Sequence, residues 1–305
     1  MGKILDFYDK KYKTLLVIPF IILILAIGVI IWNYSVTGEF INRAVSLKGG
    51  VSVDITLDSA VDINTVESAI KEQFPLNDIE IKEKKTVGEK PGLYIGIDIE
   101  GSEEEIQKLI GAVEQASGQE LNEEDYNVGK IGSSLGGSFF RETLIALLIA
   151  FVFMAIVVFY YFRTPIPSLA VIFAAASDII ITIAVVDLLN IKISTAGIAA
   201  FLMLIGYSVD TDILLTTKVL KRKAGTVIER VMQAVRTGLM MTGTTLGAVI
   251  IALIFTNSET IRQIMIILLI GLLADLINTW IQNVGILRLY LERKHKKENK
   301  ENVQI

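Results

Sequence analysis

The chain of 305 residues has no cysteine, one histidine and five prolines. Without cysteine there is no disulfide framework and no thiolate metal site. The single histidine, His295, sits in a lysine-rich tail, which excludes a multi-histidine metal centre. Charged residues make up only 20% of the chain, and they are unevenly spread. No cofactor is expected.

What fills the space is apolar. Apolar residues are 52% of the total and the mean hydropathy is +0.56. They fall in long runs between charged stretches, the pattern of membrane spans. A helix needs roughly 20 largely apolar residues to cross the hydrocarbon core. Six stretches qualify: 15–32, 143–161, 165–189, 194–217, 237–255 and 261–289. The first has a basic flank, but its apolar core is long. Trp32-Asn33-Tyr34 is also bulky where a cleavage site needs small residues, so it reads as an uncleaved anchor.

Orientation follows the Lys and Arg residues of the loops. Lys3, Lys10, Lys11 and Lys13 precede the first span. Lys218, Lys221, Arg222, Lys223, Arg230 and Arg236 follow the fourth, and Arg293, Lys294, Lys296, Lys297 and Lys300 form the tail. An even number of spans puts all three groups on one face, the cytoplasmic one. The short loops opposite hold only Lys192 and Arg262. The expected layout is a cytoplasmic N-terminus (1–14), a first span (15–32), an extracytoplasmic domain (33–142), five further spans (143–289) and a cytoplasmic basic tail (290–305).

The outward domain carries 21 acidic and 10 basic residues, read as a solvated surface. Val51–Leu57 alternates strictly and predicts a strand. Asp62 is placed to cap a helix running to Phe74, where Pro75 breaks it. Asp78–Lys84 and Leu93–Ile99 read as strands around the turn-rich Gly88–Gly92. Ser102, followed by Glu103, Glu104 and Glu105, reads as a capping box opening a helix to Ala116. A last strand is expected at Tyr126–Lys130. The order βαββαβ predicts a small ferredoxin-like α+β domain attached to a six-helix transmembrane bundle.

Four aspartates fall within or at the edge of spans: Asp178, Asp210, Asp212 and Asp275. Asp187 lies nearer the outer surface. A carboxylate at a helix centre costs about 2.5–3.5 kcal/mol on insertion scales, so each needs a partner, water or a proton. No Lys or Arg stands opposite them in the expected spans. A proton relay would use such groups; hydrogen bonds to Ser, Thr or Asn on neighbouring helices, or pairing with a partner subunit, are the alternative. Asp210 and Asp212 are two residues apart and point to nearly opposite helix faces. Small residues at Gly197, Gly206, Gly238, Gly243 and Gly247, the last two in GxxxG spacing, are expected to bring helices close. Thr242, Thr244 and Thr245 are available there as cross-helix donors.

Gly206-Tyr207-Ser208-Val209, followed by Asp210-Thr211-Asp212, resembles the signature segment of the SecF family of protein-export membrane proteins. Ala176-Ser177-Asp178, Arg236-Thr237 with Thr242-Gly243-Thr244-Thr245, Val128-Gly129-Lys130-Ile131-Gly132 and Lys48-Gly49-Gly50 resemble further elements of that family, in the same order. Asp-Thr-Asp stands where bacterial members have Asn-Asp-Thr, and Gly271–Trp280 is not of bacterial type, so the likeness is to archaeal SecF. The resemblance implies a subunit of the resistance-nodulation-division superfamily that pairs with SecD and associates with the SecYE channel. It implies action on translocating polypeptides in late export, coupled to the proton gradient. The implied partners are these proteins and membrane lipid, without nucleic acid, and no enzymatic activity is implied. The rivals are a self-sufficient small-molecule or lipid exporter of the same superfamily and an intramembrane aspartyl protease. The protease motifs Tyr-Asp and Gly-x-Gly-Asp are absent, since Ser177 precedes Asp178 and Val209 precedes Asp210.

Overall fold

The computed structural model describes residues 8, 11–84, 91–221, 225–256 and 258–303, with side chains to residue 296. Lys3, Lys10, Arg222, Lys223, the side chains of Lys297 and Lys300, and the turn residues Gly88–Lys90 lie outside the described residues.

Among the described residues, six helices are long and apolar enough to cross a membrane. They are α1 (Val17–Thr37), α5 (Ser133–Phe162), α6 (Pro165–Leu188), α7 (Thr195–Leu220), α8 (Val227–Phe255) and α9 (Glu259–Ile277). A π-helical turn, Asn278–Asn283, continues α9 into α10 (Val284–Val303). Two helices start well before the expected spans, because polar first turns extend them. Thr226 caps α8 with Glu229 in a capping box ten residues ahead of the expected edge, and α5 starts at Ser133. The sixth segment is not one regular helix, since the π turn interrupts it.

Helices α6, α7 and α9 form the inside of the bundle, with Val171, Ala174, Ala200, Leu204, Ile267 and Leu268 buried. In contrast, α5 leaves Leu148, Ile149, Val152, Phe153 and Ile156 exposed, and α1 leaves Ile24, Leu25 and Trp32 exposed. Contiguous apolar surface of this extent suits lipid, where helices satisfy their own backbone.

The region between α1 and α5 folds as expected from its alternation. Strands β1 (Gly50–Thr56), β2 (Ile79–Lys84), β3 (Gly92–Ile97) and β4 (Tyr126–Ile131) form an antiparallel sheet in the order β2-β3-β1-β4. Val53 faces Ile95 on one side and Val128 on the other. Val51, Val53 and Ile55 turn to one face, where α3 (Ile63–Gln73) and α4 (Glu103–Ser117) cover them with Val66, Ile70, Leu109 and Val113. Asp62 caps α3 and Ser102 forms its capping box with Glu105. This is the ferredoxin-like arrangement.

A short helix, α2 (Val45–Lys48), fastens the domain to the bundle. Its Leu47 is fully buried among Ile193, Phe201 and Leu204 of the bundle. The backbone joins too: Ala44 N–H donates to the Ile193 carbonyl at 2.9 Å, and Ile193 N–H to that of Asn42 at 2.7 Å. Gly49 has φ +91°, and a Cβ there would meet the backbone of Ser133 at the start of α5. Only glycine permits both that angle and that approach. Charges complete the seam. Lys192 Nζ lies 2.5 Å from Asp78 Oδ1, Lys48 Nζ 3.1 Å from Asp78 Oδ2, and Lys82 Nζ 2.8 Å from Glu259 Oε1. Part of the acidic surface is thus spent on holding the domain down.

Candidate functional site

Helix α6 carries Asp178 at its middle and α7 carries Ser208 and Asp212 one turn apart on its inner face. Asp275 sits in the last turn of α9, just ahead of the π turn. All three carboxyl groups are fully buried. Asp178 accepts from Ser208 Oγ at Oδ2 (2.5 Å) and from Asn278 Nδ2 at Oδ1 (2.7 Å). Asp212 Oδ1 accepts from Asn283 Nδ2 (2.7 Å) and contacts Thr279 Oγ1 (2.9 Å), which also lies 2.9 Å from Asp275 Oδ1. Asp275 neighbours Asp178 and Ser208 as well. Among the described residues, no Lys or Arg forms an ion pair with any of the three.

The π turn supplies most of these partners. Asn278, Thr279, Gln282 and Asn283 are all fully buried, and Gln282 Nε2 reaches Ser177 Oγ at 3.4 Å. A turn of about 4.4 residues carries Thr279 and Asn283, four apart, to the same carboxylate, and such turns recur at functional sites. The hydrogen bonding accounts for part of the cost of these buried carboxyls but not all of it. Among the described residues, Oδ2 of Asp212 and of Asp275 has no hydrogen-bond partner, and neither do Oδ1 of Asn278, Oε1 of Gln282 and Oδ1 of Asn283.

The four expected aspartates therefore separate. Asp178, Asp212 and Asp275 meet in one cluster. Asp210 does not join them: it is exposed on the opposite face of α7, beside Tyr207. It borders an open cavity of about 280 Å³ with Thr242, Thr244 and Thr245 of α8. The register of α7 explains the division, because residues two apart cannot share a face.

The packing expectations need correction in part. Gly238 and Gly197 do sit at close contacts, against Trp280 and against Ile193 and Ile267. Gly206, Gly243 and Gly247 have nothing within 4 Å of a Cβ position, so among the described residues no neighbour packs against these three positions. Thr244 and Thr245 donate to the Met241 carbonyl of their own helix, at 2.8 and 3.1 Å, rather than across helices. Asp187 is largely buried near the C-terminal end of α6 and accepts from Asn42 N–H at 3.2 Å.

Comparison with known proteins decides the family. A model of the C-terminal part of the protein-export membrane proteins SecD and SecF matches residues 112–293. The "Protein-export membrane protein SecF" of Pyrococcus furiosus is 39% identical over 94% of this chain and 93% of its own length. That of Methanocaldococcus jannaschii is 38% identical over 95% and 99%.

This chain belongs to the SecF family.

The likeness to archaeal SecF extends over nearly the whole chain, so it includes the ferredoxin-like domain as well as the bundle. The fold is shared with the crystal structure of SecDF, "a translocon-associated membrane protein", from Thermus thermophilus, at a TM-score of 0.71 and 18% identity. The superposition covers 94% of this chain but only 38% of that one, so this chain spans a little over a third of SecDF. Within the SecF signature, Ser208 is a hydrogen-bond donor to Asp178, a role that its motif alone did not reveal. Asn278, Thr279, Gln282 and Asn283 were not picked out as site residues from sequence. Their signal was visible nonetheless: four amides and hydroxyls in six residues of an otherwise apolar span.

Proposed function

We propose that this chain is the SecF subunit of a protein-export assembly, pairing with a SecD-like chain beside the SecYE channel to assist late translocation. The observation that carries the reading is the near-full-length identity with curated SecF proteins. The open face of α7 and α8 supports a missing neighbour. Gly206, Gly243 and Gly247 leave room for an approaching helix, and Asp210 lies beside that room, where a partner's donor or cation would pair with it. The short coverage of the SecDF chain agrees, since the remainder of that protein has no counterpart here.

In this reading the N- and C-termini are cytoplasmic, following the basic loops, and the ferredoxin-like domain faces outward to meet emerging polypeptide. The plasma membrane is the site of action, and anionic lipid contacts the basic cytoplasmic segments. The cluster of Asp178, Asp212 and Asp275 takes up and releases protons, and the bundle transmits the change to the domain through α2. That coupling has a physical route, because Leu47 is packed in the same apolar cluster as α7 and α9.

Depletion of the chain in its host, with pulse-labelling of secreted proteins, tests the reading. Precursor accumulation restored by the wild-type gene supports it. Unchanged secretion on full depletion contradicts it.

A further inference from the structure

Thr279 has one hydroxyl proton, yet its Oγ1 stands 2.9 Å from Oδ1 of Asp212 and 2.9 Å from Oδ1 of Asp275. A hydroxyl donates once. The second contact is a hydrogen bond only if the carboxyl supplies the proton. With both carboxyls ionised, one contact would set lone pair against lone pair between fully buried groups, where unpaired polar atoms are costly. The second oxygens add to the argument. Oδ2 of each group is fully buried and without a partner, so two full charges would stand on half-satisfied carboxylates.

We propose that Asp212 and Asp275 hold one proton between them, bridged by the Thr279 hydroxyl, as a proton-binding site inside the bundle. This deepens the proton-linked reading above by naming the bridge and the proton's position.

The surroundings assign the proton. Asn283 Nδ2 already donates to Asp212 Oδ1 at 2.7 Å, which marks that oxygen as an acceptor. Asp275 Oδ1 has Thr279 as its hydrogen-bond partner. The resting arrangement is Asp275 O–H donating to Thr279 Oγ1, and Thr279 O–H donating to Asp212. Transfer then balances without any other reactant. The Asp275 O–H bond breaks as its proton joins Thr279 Oγ1, and the former threonine proton joins Asp212 Oδ1. Threonine ends as it began, Asp212 becomes the acid, and Asp275 becomes the anion that accepts from Thr279. Asp178 and Ser208, which also neighbour Asp275, extend the same line of groups across α6 and α7.

Infrared spectroscopy of the aspartate-13C-labelled full chain, purified with its partner in lipid at neutral pH, tests this without measuring export. The expected wild-type spectrum contains the C=O stretch of a protonated carboxyl group. Asp275→Asn and Asp212→Asn should each remove that band, because the single Thr279 proton then satisfies the one remaining carboxylate, whereas Asp178→Asn should retain it. Thr279→Ser should leave it in place and Thr279→Val should shift it. Asp275→Asn keeps a donor toward Thr279 and Thr279→Ser keeps the bridge, so neither relies on a disrupted fold. Absence of the band, or a band indifferent to Asp275→Asn, overturns the proposal. Because export is not read, a failed spectrum and a failed secretion assay refute different statements.

Discussion

Asn278 donates from Nδ2 to Oδ1 of Asp178 at 2.7 Å, although the two residues stand 100 positions apart in the chain. That bond ties α6 to the π turn at the depth where Ser208 of α7 reaches the other carboxylate oxygen. A carboxylate held from both sides is positioned as well as solvated. Its immediate surroundings change when it gains or loses a proton, because each donor then loses or regains a charged acceptor.

Asp178→Asn should therefore impair secretion while leaving the chain folded and bound to its partner. The amide fills the same volume but cannot exchange a proton. Pulse-chase of exported proteins alongside co-purification checks it, and normal secretion would remove Asp178 from the mechanism. Asn278→Ala, which strips one donor from the buried carboxylate, should cost about 1–3 kcal/mol of stability. Thermal unfolding in detergent reads that loss.

The glycines of α8 should divide by position. A Cβ at Gly238 would run into the indole of Trp280, so Gly238→Ala should destabilise the bundle by about 1–3 kcal/mol through overpacking. At Gly243 nothing lies within 4 Å, so Gly243→Leu should leave the isolated chain as stable as before. The same leucine should weaken association with the partner. Thermal melts of the lone chain and co-purification yields from membranes separate the two effects.

The seam between domain and bundle should depend on acid and on salt. Burial pushes the Asp78 carboxyl up, but the Lys192 and Lys48 ammonium groups outweigh it and hold the group below its ordinary 3.8. Glu39 behaves alike: burial raises it, while Arg43 and Lys48 bring it below its ordinary 4.5. A depressed folded-state value contributes stability that is complete above the ordinary value and is lost as pH falls below it. Amide exchange at Asn42–Lys48 and Ile191–Ser194 should thus speed up below about pH 4, where such carboxyls protonate. In Lys192→Met the acceleration should begin at higher pH. Exchange unchanged by acid and by this substitution would show that Leu47 packing alone holds the seam.

The ferredoxin-like domain was legible because its determinants are local. Strict alternation at Val51–Leu57, the Asp62 cap and the Ser102 box each depend on a few neighbouring residues, and the sheet follows from their order. The spans were legible from length and hydropathy, but their ends were not, since Glu229 and Ser133 extend helices past the apolar run. The four aspartates stood out in the sequence, but their grouping did not. Asp212 joins Asp178 and Asp275 because of how α7 is rotated against α6 and α9, and rotation is a tertiary property. The π turn was likewise invisible. Asn278–Asn283 has no feature of local propensity that demands it, and it forms where three carboxyl groups must be met. Gly243 and Gly247 carried a packing motif that no neighbour fills among the described residues.

This six-helix chain is proposed as half of a functional pair. Because it has no native cysteine, single cysteines at Gly243 and Gly247 can be cross-linked in native membranes without background, and the products identified by mass spectrometry. One dominant adduct, with a SecD-like chain, is expected from both positions, and none from a cysteine at the exposed Asn64 on α3 of the ferredoxin-like domain. Adducts only between copies of this chain, or none in membranes that export normally, would contradict it.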